Sequence, residues 1–226
     1  MTGSYAVARE RLDQALADRQ WSAIGSTAST DLPPAVILDS DETIFDNIDF
    51  EGQLIAGGKF YDDVQWNRWV EQAAAGAVPG AVEFVQYARQ RGVKVFFITN
   101  RGKAQEASTR ANLEKIGVPF PANEDTVLVR GERPEWNNGD KSPRRDYVAA
   151  THRVLLLIGD DLNDFVAASG RSHDERGALV REASARWGRQ WIMLPNPMYG
   201  SWNSAATGRL GDECAEFHRK IELLTP

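Results

Sequence analysis

Five short runs of this chain are almost wholly apolar, and most carry β-branched residues: 35–38, 93–98 (broken by Lys94), 126–129, 154–158 and 190–194 (opened by Gln190). Continuous apolar runs, in place of strict alternation, mark strands buried on both faces, as in a parallel sheet. Between them the apolar period lengthens to that of a helix, over residues 5–21, 81–91, 106–116 and around 144–150. Gly117 stops the third of these. Strands that alternate with helices predict an α/β fold, a doubly wound parallel sheet with right-handed crossovers.

Residues 44–80 break that alternation and hold no second strand. Gly57-Gly58 reads as a turn, and the stretch from Asp62 to Val70 has helical spacing with acids at its start. The expected organisation is one domain over 1–226. Its core takes in about 31–46 and 80–226; a small helical cap takes in about 47–79, together with the N-terminal helix 5–21. Residues 22–34, small and polar, form the linker into the first strand.

Charge and composition narrow the partners. A net charge of −6 argues against a nucleic-acid polymer or an anionic membrane as the main partner, so any phosphate must be handled locally with a cation. The single cysteine, Cys214, allows no internal disulfide. No apolar run reaches the length of a membrane span, and the N-terminus lacks a leader core, which fits a cytosolic or a processed chain.

The chemistry collects where the strands stop. The first ends in Asp39-Ser40-Asp41-Glu42-Thr43, the second in Thr99-Asn100-Arg101, and the fourth in Gly159-Asp160-Asp161-Leu162-Asn163-Asp164; Lys141 precedes the fourth. Acids after a strand also cap helices, which is the plain alternative for any one of these ends. Ligands in open parallel sheets bind at the carboxyl ends of strands, and several such ends of one chemical kind favour a site. Two carboxylates about 4 Å apart repel by roughly 4 kcal/mol at an effective dielectric near 20. Asp39, Asp41 and Asp160 converging therefore call for a cation, and oxygen-only ligands select a hard one, with Mg²⁺ the default. Within such a cluster one aspartate can attack phosphorus and a second can move the leaving-group proton. Thr99, Asn100 and Lys141 can hold phosphoryl oxygens.

These residues resemble the four motifs of the haloacid dehalogenase superfamily. More narrowly, residues 37–43 with Phe45-Asp46-Asn47, Asp140-Lys141-Ser142 and the run from Met193 to Trp202 resemble the class C acid phosphatases, the lipoprotein e type of 5′-nucleotidase. The resemblance implies a phosphomonoesterase working through an aspartyl-phosphate. Asp39 would be nucleophile and Mg²⁺ ligand; Asp41 would be general acid and base, and a ligand through its carbonyl. Asp160 would be the third protein ligand, and Thr99 and Lys141 would hold phosphate, with Arg144 the alternative cation. Asp164 would orient Lys141 or a metal-bound water, and Asp161 would add charge beside the metal. Trp66 and Tyr199 match positions that sandwich a nucleotide base. Ser40 stands where the family usually has an apolar residue. The implied substrate is a small phosphomonoester, a nucleoside 5′-monophosphate in particular, and the implied location is exported, with a homodimer allowed. A broad scavenging phosphatase and an inactive storage or binding homologue are the alternatives. Trp69, Trp202 and the scattered histidines His152, His173 and His218 read as packing or surface, and Asp62-Asp63 as a helix N-terminal pair rather than a second metal site.

Overall fold

In the computed structural model, which describes residues 1–25, 31–118, 124–208, 210 and 213–224, the five apolar runs are the five strands of one parallel sheet. They are β1 (Pro34–Leu38), β4 (Lys94–Gly102), β5 (Val127–Arg130), β6 (Arg153–Gly159) and β7 (Trp191–Met193), in the order β5-β4-β1-β6-β7. Part of the 22–34 linker, residues 26–30, lies outside the described residues.

Side chains of successive strand residues enter opposite layers, as the pleat requires. Val36, Leu38, Val95 and Phe97 belong to the larger core, beneath α1 (Thr2–Ala17) and α4 (Ala81–Gln90). Ala35, Ile37, Phe96 and Ile98 belong to the second core, with Val148 of α6 (Ser142–Ala149) and Trp191. A register shift between Ala35 and Val36 lets both Leu155 and Leu156 of β6 face the larger core.

Several elements differ from the sequence reading. The first helix spans Thr2–Ala17 instead of 5–21, and Trp21 beyond it tucks inward, its indole donating to the Leu155 carbonyl at 2.8 Å. This helix packs on α4 and β6 of the core: Tyr5 lies 5.7 Å from the Phe84 ring. Within 44–80, β2 (Phe45–Asp46) and β3 (Gly76–Ala77) pair antiparallel; at two residues each they leave no apolar run to read. They bracket the cap helices α2 (Ile48–Gly57) and α3 (Asp63–Gln72). Asp62 is the N-cap of α3 and accepts from the Gln65 amide, so the Asp62-Asp63 pair is helix chemistry. The helices α5 (Glu106–Lys115), α7 (His173–Glu182), α8 (Ser201–Thr207) and α9 (Glu213–Leu224) complete the order, and the last three have no counterpart in the apolar pattern.

Candidate active site

The parallel ladder aims three strand ends at one place. Asp39 continues β1, its amide donating to the Ile158 carbonyl of β6 at 2.9 Å, so its position is set by the sheet itself. The chain then turns tightly: the Ser40 carbonyl accepts from the amides of Ile44 and Phe45, each at 2.9 Å. Glu42 sits in the left-handed region at φ 56°, an uncommon place for a side-chain-bearing residue and one met at functional loops. Ser40 is fully buried, and its hydroxyl has no hydrogen-bond partner among the described residues. From α1, the Tyr5 hydroxyl donates to the Thr43 carbonyl at 2.6 Å and fixes the turn from behind.

Lys141, just ahead of α6, is the centre of the cluster. Its buried ammonium donates to Asp39 and, at 2.6 Å, to Asp164. Asp164 is held in turn by the Asp161 amide at 2.9 Å. Asp160 accepts from the Thr43 hydroxyl at 3.1 Å and from the Asn196 amide at 2.9 Å. Carboxylate oxygens of Asp39, Asp160 and Asp164 all lie within 4.8 Å of one another.

The electrostatics of that group are one-sided. Three carboxylates face one ammonium, leaving two negative charges uncompensated when all are ionised. Burial pushes the Asp39 carboxyl up to about 7, with Asp164 and Asp41 adding to it, although Lys141 pulls the other way. Burial and the charges of Asp39 and Asp164 likewise raise Asp160 well above the ordinary carboxylate range. Burial alone would lower Lys141, but Asp164 and Asp39 outweigh it and keep the ammonium charged. Hard oxygen donors with an uncompensated charge fit a divalent cation. The Asp41 side chain is not part of this group.

Asp41 instead points to Arg101, which accepts no role in the sequence reading. The Arg101 guanidinium meets both Asp41 oxygens, at 2.6 Å from Nη2 to Oδ1 and 3.1 Å from Nε to Oδ2. Asn47 donates to Asp41 Oδ1 and to Glu42, each at 3.0 Å, and is itself held by the Trp69 indole at 2.8 Å. Trp69 is thus packing with a polar task.

The remaining expected residues divide. Thr99 is buried in β4, its hydroxyl accepting from the Arg101 amide. Asn100 has its side chain committed to the loop before Lys141: Nδ2 donates to the Gly139 carbonyl at 3.0 Å and Oδ1 accepts from Arg144 at 2.6 Å. Arg144 also donates to the Thr99 carbonyl. The cation on Asp39 is therefore Lys141, while Arg144 braces strand and loop. Asp161 spends its carboxylate on Ser201, accepting from its amide at 2.7 Å and its hydroxyl at 2.6 Å, so it anchors the 196–201 loop. Tyr199 donates to Glu42 at 2.9 Å. Trp66 packs on Phe50, ring centroids 5.2 Å apart, with the Arg101 guanidinium 5.5 Å from its ring. Both aromatics therefore adjoin the Asp41 side of the site.

Arg101, Asn47, Glu42, Thr43 and Asn196 carry no role in the sequence reading. The last four lie inside motif stretches, so their places were visible and their partners were not. Arg101 gave one signal, an arginine at the very end of a buried strand beside Thr99.

A glycine makes the cluster possible. A Cβ on Gly159 would stand 2.2 Å from Asp164 Oδ2 and 2.5 Å from its Cγ. Gly159→Ala should displace the carboxylate that holds Lys141 and lower kcat more than tenfold, measured beside a thermal melt. Activity within twofold of the parent would show that this packing is not needed.

Comparison with known proteins identifies the family and the fold. Residues 5–202 match the family described as HAD superfamily, subfamily IIIB (Acid phosphatase). The chain belongs to this family. The class C acid phosphatase of Bacillus anthracis has the same fold, with a TM-score of 0.84 at 32% identity over 97% of this chain and 87% of that one. A second structure of it, with tungstate bound, gives a TM-score of 0.83 at 30% identity over 98% and 87%. Acid phosphatase 1 of Solanum lycopersicum is 28% identical over 166 residues, 72% of this chain and 57% of that protein. The stem 31 kDa glycoprotein of Glycine max is 25% identical over 165 residues, 72% and 58%. The chain thus spans little more than half the length of these curated relatives. No helix among the described residues is long and apolar enough to cross a membrane.

Proposed function

We propose that this protein is a Mg²⁺-dependent acid phosphatase that hydrolyses phosphomonoesters, nucleoside 5′-monophosphates above all, through an aspartyl-phosphate. The observation that carries the reading is the group of buried Asp39, Lys141 and Asp164 with half-buried Asp160, gathered where β1 and β6 end. Asp39 attacks phosphorus in line; the Asp39–phosphorus bond forms as the ester P–O bond breaks. Lys141 and the Thr99 hydroxyl hold phosphoryl oxygens while charge moves across them. Asp41 gives its proton to the departing oxygen, then takes one from the water that cleaves the acyl-phosphate. Asp39, Asp160 and the Asp41 carbonyl would hold Mg²⁺, which supplies charge neutralisation at the phosphoryl group.

The tungstate complex of the Bacillus anthracis enzyme supports an oxyanion seat, since tungstate is a tetrahedral anion of the shape of phosphate. A nucleotide preference rests on Trp66 and Tyr199 beside the Asp41 side of the site, where a base could stack. An exported location belongs to the same reading and rests on family likeness.

Steady-state kinetics on a panel of monophosphates tests the preference. Nucleoside 5′-monophosphates should exceed base-free sugar and alkyl phosphates in kcat/KM by tenfold or more. Equal values across the panel would leave a broad scavenging phosphatase; no turnover of any member would overturn the enzymatic reading.

A further inference from the structure

Asp41 has two carboxylate oxygens, and the protein treats them differently. Oδ1 accepts from Arg101 Nη2 at 2.6 Å, from Arg101 Nε at 3.2 Å and from Asn47 Nδ2 at 3.0 Å. Oδ2 accepts from Arg101 Nε alone, at 3.1 Å. An oxygen with three donors has no lone pair left for a proton, whereas its partner does. Arg101 itself has almost no freedom, with 1% of its side chain exposed against 18% for Asp41. Its Nη1 donates to the buried Thr109 of α5 at 3.3 Å, and Thr109 is tied to the Gln105 carbonyl at 2.9 Å. Its Cζ lies 4.6 Å from the centroid of the Phe45 ring and 5.5 Å from that of Trp66 in the cap.

From this geometry we infer that Arg101 is the positioning residue for proton transfer, clamping Asp41 so that Oδ2 alone carries the proton to and from the leaving oxygen. The inference rests on Asp41 being the general acid of the proposed reaction. A planar guanidinium suits the task because two donors at fixed spacing lock rotation of the carboxylate, which a single ammonium cannot do. The cation–π contact with Trp66 also links the clamp to the cap.

The readout is the dependence on leaving group. A good leaving group such as p-nitrophenolate departs without a proton, and an alkoxide such as that of glycerol does not. We compare kcat/KM, which reports steps through the first bond cleavage, for p-nitrophenyl phosphate and glycerol phosphate. Arg101→Gln should lose at least tenfold more on glycerol phosphate than on p-nitrophenyl phosphate. Arg101→Lys, which retains the charge and loses the fork, should lose in the same order. Asp41→Asn, run alongside, should show the same bias more steeply. The double variant Asp41→Asn/Arg101→Gln should lose no more on glycerol phosphate than Asp41→Asn alone, because the two residues act as one unit. Equal losses on both substrates in the Arg101 variants, with the bias intact in Asp41→Asn, would overturn the inference and leave the general acid standing. A flat response in Asp41→Asn as well would overturn the assignment of Asp41 itself. Thermal melts of each variant separate misfolding, which lowers both substrates alike, from loss of the clamp.

Discussion

Asp39→Asn should abolish turnover, with kcat falling more than about 10⁴-fold, the scale on which removal of a nucleophile acts. The amide keeps the size of the side chain and cannot form an acyl-phosphate. The same variant should fold at least as well as the parent without metal at pH 7.5. There Asp39 is a buried carboxylate beside Asp164 and Asp41, and its charge is held against a cost that Lys141 chiefly offsets. Lys141 retains its second partner, Asp164, so no bare ammonium is left behind. Lost activity with an unchanged or higher melting temperature is the expected pair of results. Turnover within tenfold of the parent would remove Asp39 from the chemistry.

The second large effect is a pH-dependent response to Mg²⁺. Asp39 titrates near 7 in the folded chain, mainly through burial, and near 4 when unfolded. A folded pKa above the unfolded one means that its contribution to stability is complete below about pH 4. It is lost progressively as pH rises toward 7, because the folded state holds a proton that the unfolded chain has released. Asp160 shifts in the same direction for the same reason. Metal needs both acids deprotonated, so its binding displaces those protons and strengthens with pH. At a hundred times its Kd, Mg²⁺ should add about 2.7 kcal/mol, or roughly 5–10 °C in Tm for a chain of this size. The expected series is a metal-free Tm that falls from pH 5 to 7.5, with Mg²⁺ restoring more at 7.5 than at 5. Equal shifts at both pH values, or none, would show that the carboxylate cluster is not the metal site.

How far the sequence reaches depends on what each residue answers to. The strands were legible because burial on both faces needs nearly continuous apolar runs, and 35–38 and 154–158 are too short for helices. Asp39, Thr99 and Asp160 could be grouped from the sequence because each follows an apolar run of one parallel sheet, whereas Lys141, on the loop ahead of α6, was singled out by its motif stretch. The orientations of side chains were not. Asp161, next to Asp160 in the chain, turns to Ser201, and Asn100, next to Thr99, turns to Gly139 and Arg144. Adjacent strand-end residues point to opposite sides, and no spacing rule says which side holds the site. Arg101 was hidden for a related reason: β4 continues through Gly102, past the last apolar residue, and carries the arginine back into the interior. The N-terminal helix was legible as a helix and not as a part of the core, since the same amphipathic stripe would fit cap or sheet.

Every role assigned to these residues depends on one buried pocket of negative charge receiving a divalent ion and a phosphoryl group together. A crystal grown with saturating Mg²⁺ and orthovanadate addresses that directly. The expected density has vanadium bonded to an Asp39 oxygen, Lys141 Nζ on a vanadate oxygen, and an ion at about 2.1 Å from carboxylates of Asp39 and Asp160. Vanadate seated elsewhere, with no ion between Asp39 and Asp160, would contradict the account.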